Sequence, residues 1–210
     1  MANIYSKFYS LEPEKRERII NAALKEFARN GYEKASTNEI ISEAEISKVS
    51  LFNYFSSKKG LYLFLLDYVN EVIEKIYDEV DWNQTDFFKR TKAIGLVKFK
   101  IYKKFPQAFD FLKIAVHEDA AEVKSEVNKI GKHLIASGLE RGYRNIDLTK
   151  FREDIDLQKT INIINWTILS FAEEQRDKVN SIENVGLEVF QEWDEYFDIM
   201  KRCFYKREAQ

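Results

Sequence analysis

The chain has 210 residues, 45% of them hydrophobic and 14% aromatic, enough to bury a sizeable core, which excludes a disordered chain. Its net charge of −2 hides a slight division, with 10 Lys and Arg against 8 Asp and Glu in residues 1–60 and 23 against 27 in residues 61–210, too small to argue for or against a nucleic-acid partner. The single cysteine, Cys203, excludes an intramolecular disulfide, and the longest apolar runs, LYLFLL (61–66) and INIINWTILSFA (161–172), are too short for a membrane span, so with no signal peptide at the start the expected setting is the cytoplasm.

Only 7 Gly and 2 Pro interrupt the chain, which favours long helices and an all-α fold. Residues 10–30 read as a helix with Pro13 near its start and an inward stripe of Ile19, Ala23 and Phe27; Asn30-Gly31 ends it, Gly31 suiting a left-handed cap. Ser36 followed by Glu39 is a capping-box signature for a short helix ending near Ala44. Ser47 is an N-cap for another, ending near Phe55. Further helices are expected from Lys58 to about Val80 and over 84–104, 106–117, 119–143, 155–178 and 183–206, separated by Asp81-Trp82-Asn83, by Pro106, and by the stretches GYRNIDLT and DKVNSIEN.

Two short helices joined across Glu45-Ile46-Ser47 make a helix-turn-helix, whose second helix can enter the major groove of DNA. On a helical wheel of 47–55, Leu51, Phe52 and Phe55 gather on one side and Val49, Ser50 and Asn53 on the other. The aromatics then anchor the helix, while short side chains face outward: Asn pairs with adenine, Ser with several bases, and Val touches a thymine methyl. Lys48 stands at the entry of the helix, and Tyr54 and Lys58 flank it where phosphate oxygens would run. Spacing alone is equally compatible with an ordinary helical hairpin carrying solvated polar residues.

The run from Ile19 to Leu61 resembles the DNA-binding domain of TetR-type transcriptional regulators: Ile19-x-x-Ala22-Ala23, Phe27, Gly31-Tyr32, Thr37, Ile40, Ala44, Ser47-Lys48, Leu51, Tyr54-Phe55 and Ser57-Lys58 fall in order. The resemblance implies an N-terminal DNA-binding domain, residues 1–60, joined to a helical effector-binding and dimerisation domain, residues 61–210. It implies that Thr37 and Asn38 open the supporting helix near the DNA backbone, that Lys48, Val49, Ser50 and Asn53 face the groove, and that Tyr54 and Lys58 hold phosphates. The function implied is a non-enzymatic repressor, released from a palindromic operator by a small molecule. The sequence departs from the family pattern at Glu45 in the turn, where glycine is usual, at Val49 and at Phe52, which lacks the usual tyrosine hydroxyl. A different class of function fits those departures: a helical adaptor that retains the module only as structure.

No Gly-rich phosphate loop, GxSxG elbow or paired-Cys motif is present, and His117-Glu118-Asp119 with His133 makes a poor metal site, since adjacent helix residues point apart. No cofactor is expected. An apolar effector pocket is expected within about 95–175. Phe99, Tyr102, Phe109 and Trp166 are candidate lining residues, though aromatics fill cores as readily, and His117, Asn162 and Asn165 are candidate polar groups. A two-fold dimer is expected through 155–206. Leu157, Ile161, Ile164, Ile168 and Phe171 make one stripe there and Ile163, Trp166 and Leu169 a second face; Val185, Val189, Trp193, Phe197, Met200 and Phe204, widened by Leu187 and Phe190, make the partner stripe on the following helix.

Overall fold

The structure is a computed structural model describing residues 5–177, 186 and 188–207. Ten α-helices occur among the described residues: α1 Ser6–Tyr9, α2 Pro13–Lys34, α3 Thr37–Ala44, α4 Lys48–Phe55, α5 Lys58–Glu79, α6 Phe87–Lys104, α7 Pro106–Ala115, α8 Lys124–Tyr143, α9 Leu157–Asp177 and α10 Val189–Phe204. The chain divides into two compact units: Met1–Glu79 with Lys104–Arg141, and Val80–Lys103 with Gly142–Gln210. This division by packing differs from the functional one expected at residue 60, because α5, α7 and α8 pack with the amino-terminal helices.

In the first unit α2 lies against α3, α5 and, most extensively, α7. Its inward stripe, Ile19, Ala23 and Phe27, is fully buried, as the i+4 spacing requires. Phe27 meets Tyr62 of α5 and Phe111 of α7 edge-on. The expected break at Gly31 occurs, but in another conformation: φ 65°, ψ −177° belongs to a region only glycine occupies readily, and Tyr32–Lys34 then complete a further turn. Ser36 caps α3 by accepting from the Glu39 amide at 3.4 Å. The reciprocal half of the expected capping box is supplied by another residue, since the Ser36 amide donates to Glu26 Oε1 at 2.7 Å. Helix α8 begins at Lys124 instead of 119, because residues 116–123 form turns in which Glu118 Oε1 accepts from the Ala120 amide. The short α1, not foreseen in the sequence, brings Phe8 into the core at 0% exposure.

The second unit is built around Phe87, Phe88, Phe151, Ile164, Phe197 and Met200. An isolated antiparallel bridge pairs Phe151 with Tyr205 and ties the end of α10 to the 3₁₀ turn Leu148–Lys150. Arg90 is 1% exposed there; its guanidinium donates to the carbonyls of Gln84 at 2.6 Å, Trp82 at 2.8 Å and Arg144. These are carbonyls of irregular chain before α6 and after α8, gathered on one guanidinium. The stripe Leu157, Ile161, Ile164, Ile168 faces this core. So do Trp193, Phe197, Met200 and Phe204 of α10, contrary to the expectation that they meet a partner; Phe190 is likewise enclosed, against Phe99 and Trp193. Val185 and Leu187 of the expected stripe lie outside the described residues.

Replacing Arg90 by Ala leaves three carbonyls without their donor, and the chemical-denaturation midpoint should fall by the equivalent of about 3 kcal/mol or more. Glu45, the C-cap of α3, sits at φ 53°, ψ 48°, where a side chain costs roughly 1–2 kcal/mol. Glu45→Gly should therefore raise the midpoint of the first unit by about 1 kcal/mol, after the extra chain entropy glycine loses is deducted.

Candidate nucleic-acid interface

The eight-residue α4 holds five of the candidate contact residues, and their placement follows from one buried edge. Leu51 and Phe55 are 1% and 3% exposed, with the Phe55 ring 5.0 Å from Phe8 and 5.1 Å from Phe64 of α5. Phe52 is half-buried beside them. With that edge fixed, the opposite side must face solvent: Val49 is 70% exposed, and Lys48 and Asn53 are exposed with it. Ser47 accepts from the Ser50 amide at 3.1 Å, and the two hydroxyls lie 2.9 Å apart, so Ser50 is half-buried and tied to the helix start.

Thr37 and Asn38 form the first turn of α3, half-buried and exposed respectively. The turn between α3 and α4 is closed by Glu45 and Ile46 amides returning to Ser42 and Ile41. Arg18 of α2 donates to the last α3 carbonyl, Ala44, at 3.2 Å and so fixes α3 against the scaffold. Tyr54 is half-buried with its ring edge-on to Phe8 and Phe55. Lys58 donates to the Glu33 carbonyl at 3.0 Å, and its ammonium stands 5.1 Å from the centre of the Tyr32 ring. The residues expected for DNA contact thus share one unit and two adjacent short helices with the start of α5. Sequence reasoning missed Phe8, whose only signal was a large apolar residue in a polar amino-terminal stretch.

The second unit holds an apolar cleft of about 260 Å³ between α6, α9 and α10. Phe99 and Tyr102 line it, with Ile94, Ile168, Leu169, Phe171, Phe190 and Trp193. Of the other residues expected there, Asn162, Asn165 and Trp166 are not among its lining: Asn165 donates to the Tyr143 hydroxyl, Asn162 accepts from Gln158, and Trp166 is 66% exposed. Phe109 and His117 belong to the first unit, where His117 is exposed. The floor is set at Gly95, where a Cβ would come within 2.3 Å of the Trp193 ring. The indole N–H of Trp193 is buried with no acceptor among the described residues. Its position was unreadable because the stripe that carries it looks the same whether it faces a core, a cleft or a partner.

Among the described residues no group of His, Cys, Asp and Glu is arranged to hold a metal ion, and no helix is long and apolar enough to cross a membrane.

Residues 19–64 match the family model of bacterial regulatory proteins, tetR family. Over 131 residues the chain is 30% identical to the uncharacterized HTH-type transcriptional regulator YuxN of Bacillus subtilis (strain 168), a match spanning 60% of this chain and 43% of that protein. It is 26% identical over 141 residues to YdgC of the same organism, across 64% of this chain and 71% of YdgC. A TetR family transcriptional regulator from Chloroflexus aurantiacus shares the fold with a TM-score of 0.67 at 22% identity, covering 96% of this chain and 98% of that one. The ketosteroid transcriptional regulator KstR2 of Mycobacterium tuberculosis does so at 0.58 and 16%, covering 94% and 98%. The amino-terminal segment is thus matched in sequence to the tetR family model and folds as a helix-turn-helix, and the chain shares its fold with solved TetR-family regulators.

Proposed function

We propose that the chain is a cytoplasmic, homodimeric transcriptional repressor that reads a palindromic operator through α4 and leaves it when a small molecule occupies the cleft of the second unit. The observation that carries the reading is the outward edge of α4. Val49 and Asn53 project from a helix whose other edge is sealed in the core, which is the presentation a major groove needs. Asn53 supplies the bidentate pattern for adenine, Val49 a methyl contact for thymine, Lys48 a cation at the helix entry, and Tyr54 and Lys58 the phosphate contacts. Thr37 and Asn38 meet the backbone at the start of the supporting helix.

One such helix reads few base pairs, so specificity calls for a second copy about 34–36 Å away along the groove. The apolar surface that supports a dimer is the outward side of α9 and α10: Ile163, Trp166 and Leu169 on one, Tyr196 and Ile199 on the other, all at least 40% exposed. Phe171 packs against Tyr196 at 5.5 Å, which brings the two sets together. A symmetric pair of such surfaces would bury what a lone subunit leaves in water.

The cleft supports a ligand that is largely apolar and small, with one acceptor to meet the Trp193 indole N–H. Release requires only that the ligand bind the DNA-incompetent arrangement more tightly, by a coupling of roughly 1–3 kcal/mol.

Titrating the purified protein with DNA from upstream of its own coding sequence, across a salt series, tests the reading against that of an adaptor: a sequence-dependent affinity with a steep salt slope is expected, and a flat response to both would refute it. Asn53→Ala should weaken specific binding by about 1–3 kcal/mol and relax preference at one base pair. Lys58→Ala should weaken all sequences alike and lower the salt slope by about 1. In light scattering, Trp166→Glu should yield a folded monomer by circular dichroism, whereas Phe197→Glu, placed in the core, should unfold its unit.

A further inference from the structure

Lys58 is held before any DNA arrives. Its ammonium donates to the Glu33 carbonyl and stands over the Tyr32 ring, which leaves further N–H groups for an incoming oxygen. What holds Tyr32 is unusual for a surface turn. Its amide donates to Glu118 Oε2 at 2.7 Å and its hydroxyl to Glu122, both in the segment 116–123 between α7 and α8. Glu118 is itself oriented by the Ala120 amide, which donates to its other oxygen at 2.9 Å. Gly31 lets the carboxylate approach, for a Cβ there would lie 3.3 Å from Glu118 Oε2. Burial, and then the bond to Glu122, push the Tyr32 phenol far above its ordinary pKa, so it remains a donor throughout the working range.

We propose that Tyr32, clasped by Glu118 and Glu122, is the positioning residue that sets Lys58 for its phosphate, and that the segment 116–123 thereby adjusts affinity for DNA. The inference rests on the DNA-binding reading above and adds to it a route by which the helical body acts on the interface. It also has a direction that charge alone would not give. Neutralising a carboxylate near a phosphate site strengthens binding by the field it removes. If the clasp is what matters, the same change must weaken it.

The test uses Glu122→Ala, an exposed position whose replacement removes both the charge and the acceptor for the Tyr32 hydroxyl and leaves the core intact. In the free protein, carbon-edited NMR should show the Lys58 ε-methylene protons shifted upfield by the Tyr32 ring, and that shift diminished in the variant. With a duplex of random sequence, the variant should bind about threefold more weakly, with a salt slope moving toward that of Lys58→Ala. Adding Glu122→Ala to Tyr32→Phe, where the hydroxyl is already gone, should bring no further weakening and leave only the slight tightening that the lost charge gives. Tighter binding in both backgrounds, or an unmoved Lys58 resonance, would overturn the proposal. Because the resonance is read without DNA, a wild-type protein that shows the shift and its loss but binds no duplex would defeat the DNA-binding reading and leave the clasp standing.

Discussion

An eight-residue helix is not stable alone in water, because nucleating it fixes more chain than its few hydrogen bonds repay. Helix α4 therefore exists only through what it buries, and the burial of Leu51 together with the contact of Phe55 with Phe8 and Phe64 decides both that it is a helix and which of its edges faces out. Capping refines this without replacing it. Ser47 satisfies one amide, while the aromatic cluster fixes the rotation of the whole helix about its axis. The direction in which Asn53 points is thus a consequence of residues that never approach DNA.

The same logic explains how much was legible in the sequence. Wherever one face of a helix is buried and the other solvated, the spacing of apolar residues names the face correctly; Ile19, Ala23, Phe27, Leu51 and Phe55 all lie where it puts them. Serine marked the starts of α3 and α4, and Gly31 the break within α2, which then runs on to Lys34. Legibility failed where a helix has apolar residues all round. In α10 the positions Trp193, Phe197 and Met200 could face a core or a partner, and only the packing of Phe87, Phe88 and Phe151 around them shows which. It failed again for pairings across long stretches of chain: nothing near Tyr32 announces Glu118 and Glu122, because a carboxylate in a turn reads as solvated until the fold brings it to a backbone amide.

Irregular chain finds hydrogen bonds through side chains of both signs, and each unit offers one clear case. In the second, one fully buried guanidinium gathers three carbonyls from the segments before α6 and after α8, so a single long side chain replaces the hydrogen bonds that secondary structure would have made. In the first, carboxylates do the corresponding work for amides: Glu26 for Ser36, and Glu118 for Tyr32 and Ala120. A carboxylate that serves amides remains reachable by water at its edge and can be exchanged. A buried guanidinium cannot be withdrawn without stranding its acceptors.

Gly95 has a consequence for how proteins built on this plan diverge. Trp193 occupies the space where a Cβ at residue 95 would stand, so the two positions form a lock in inheritance: a lineage that gains a methyl at 95 must in the same period shrink or swing the residue at 193. The indole is also a wall of the cleft, so the smallest change at one glycine on α6 redraws the shape of a chamber whose other walls lie on α9 and α10. Paired exchanges at 95 and 193 would thus reshape the cleft without touching any residue of α4.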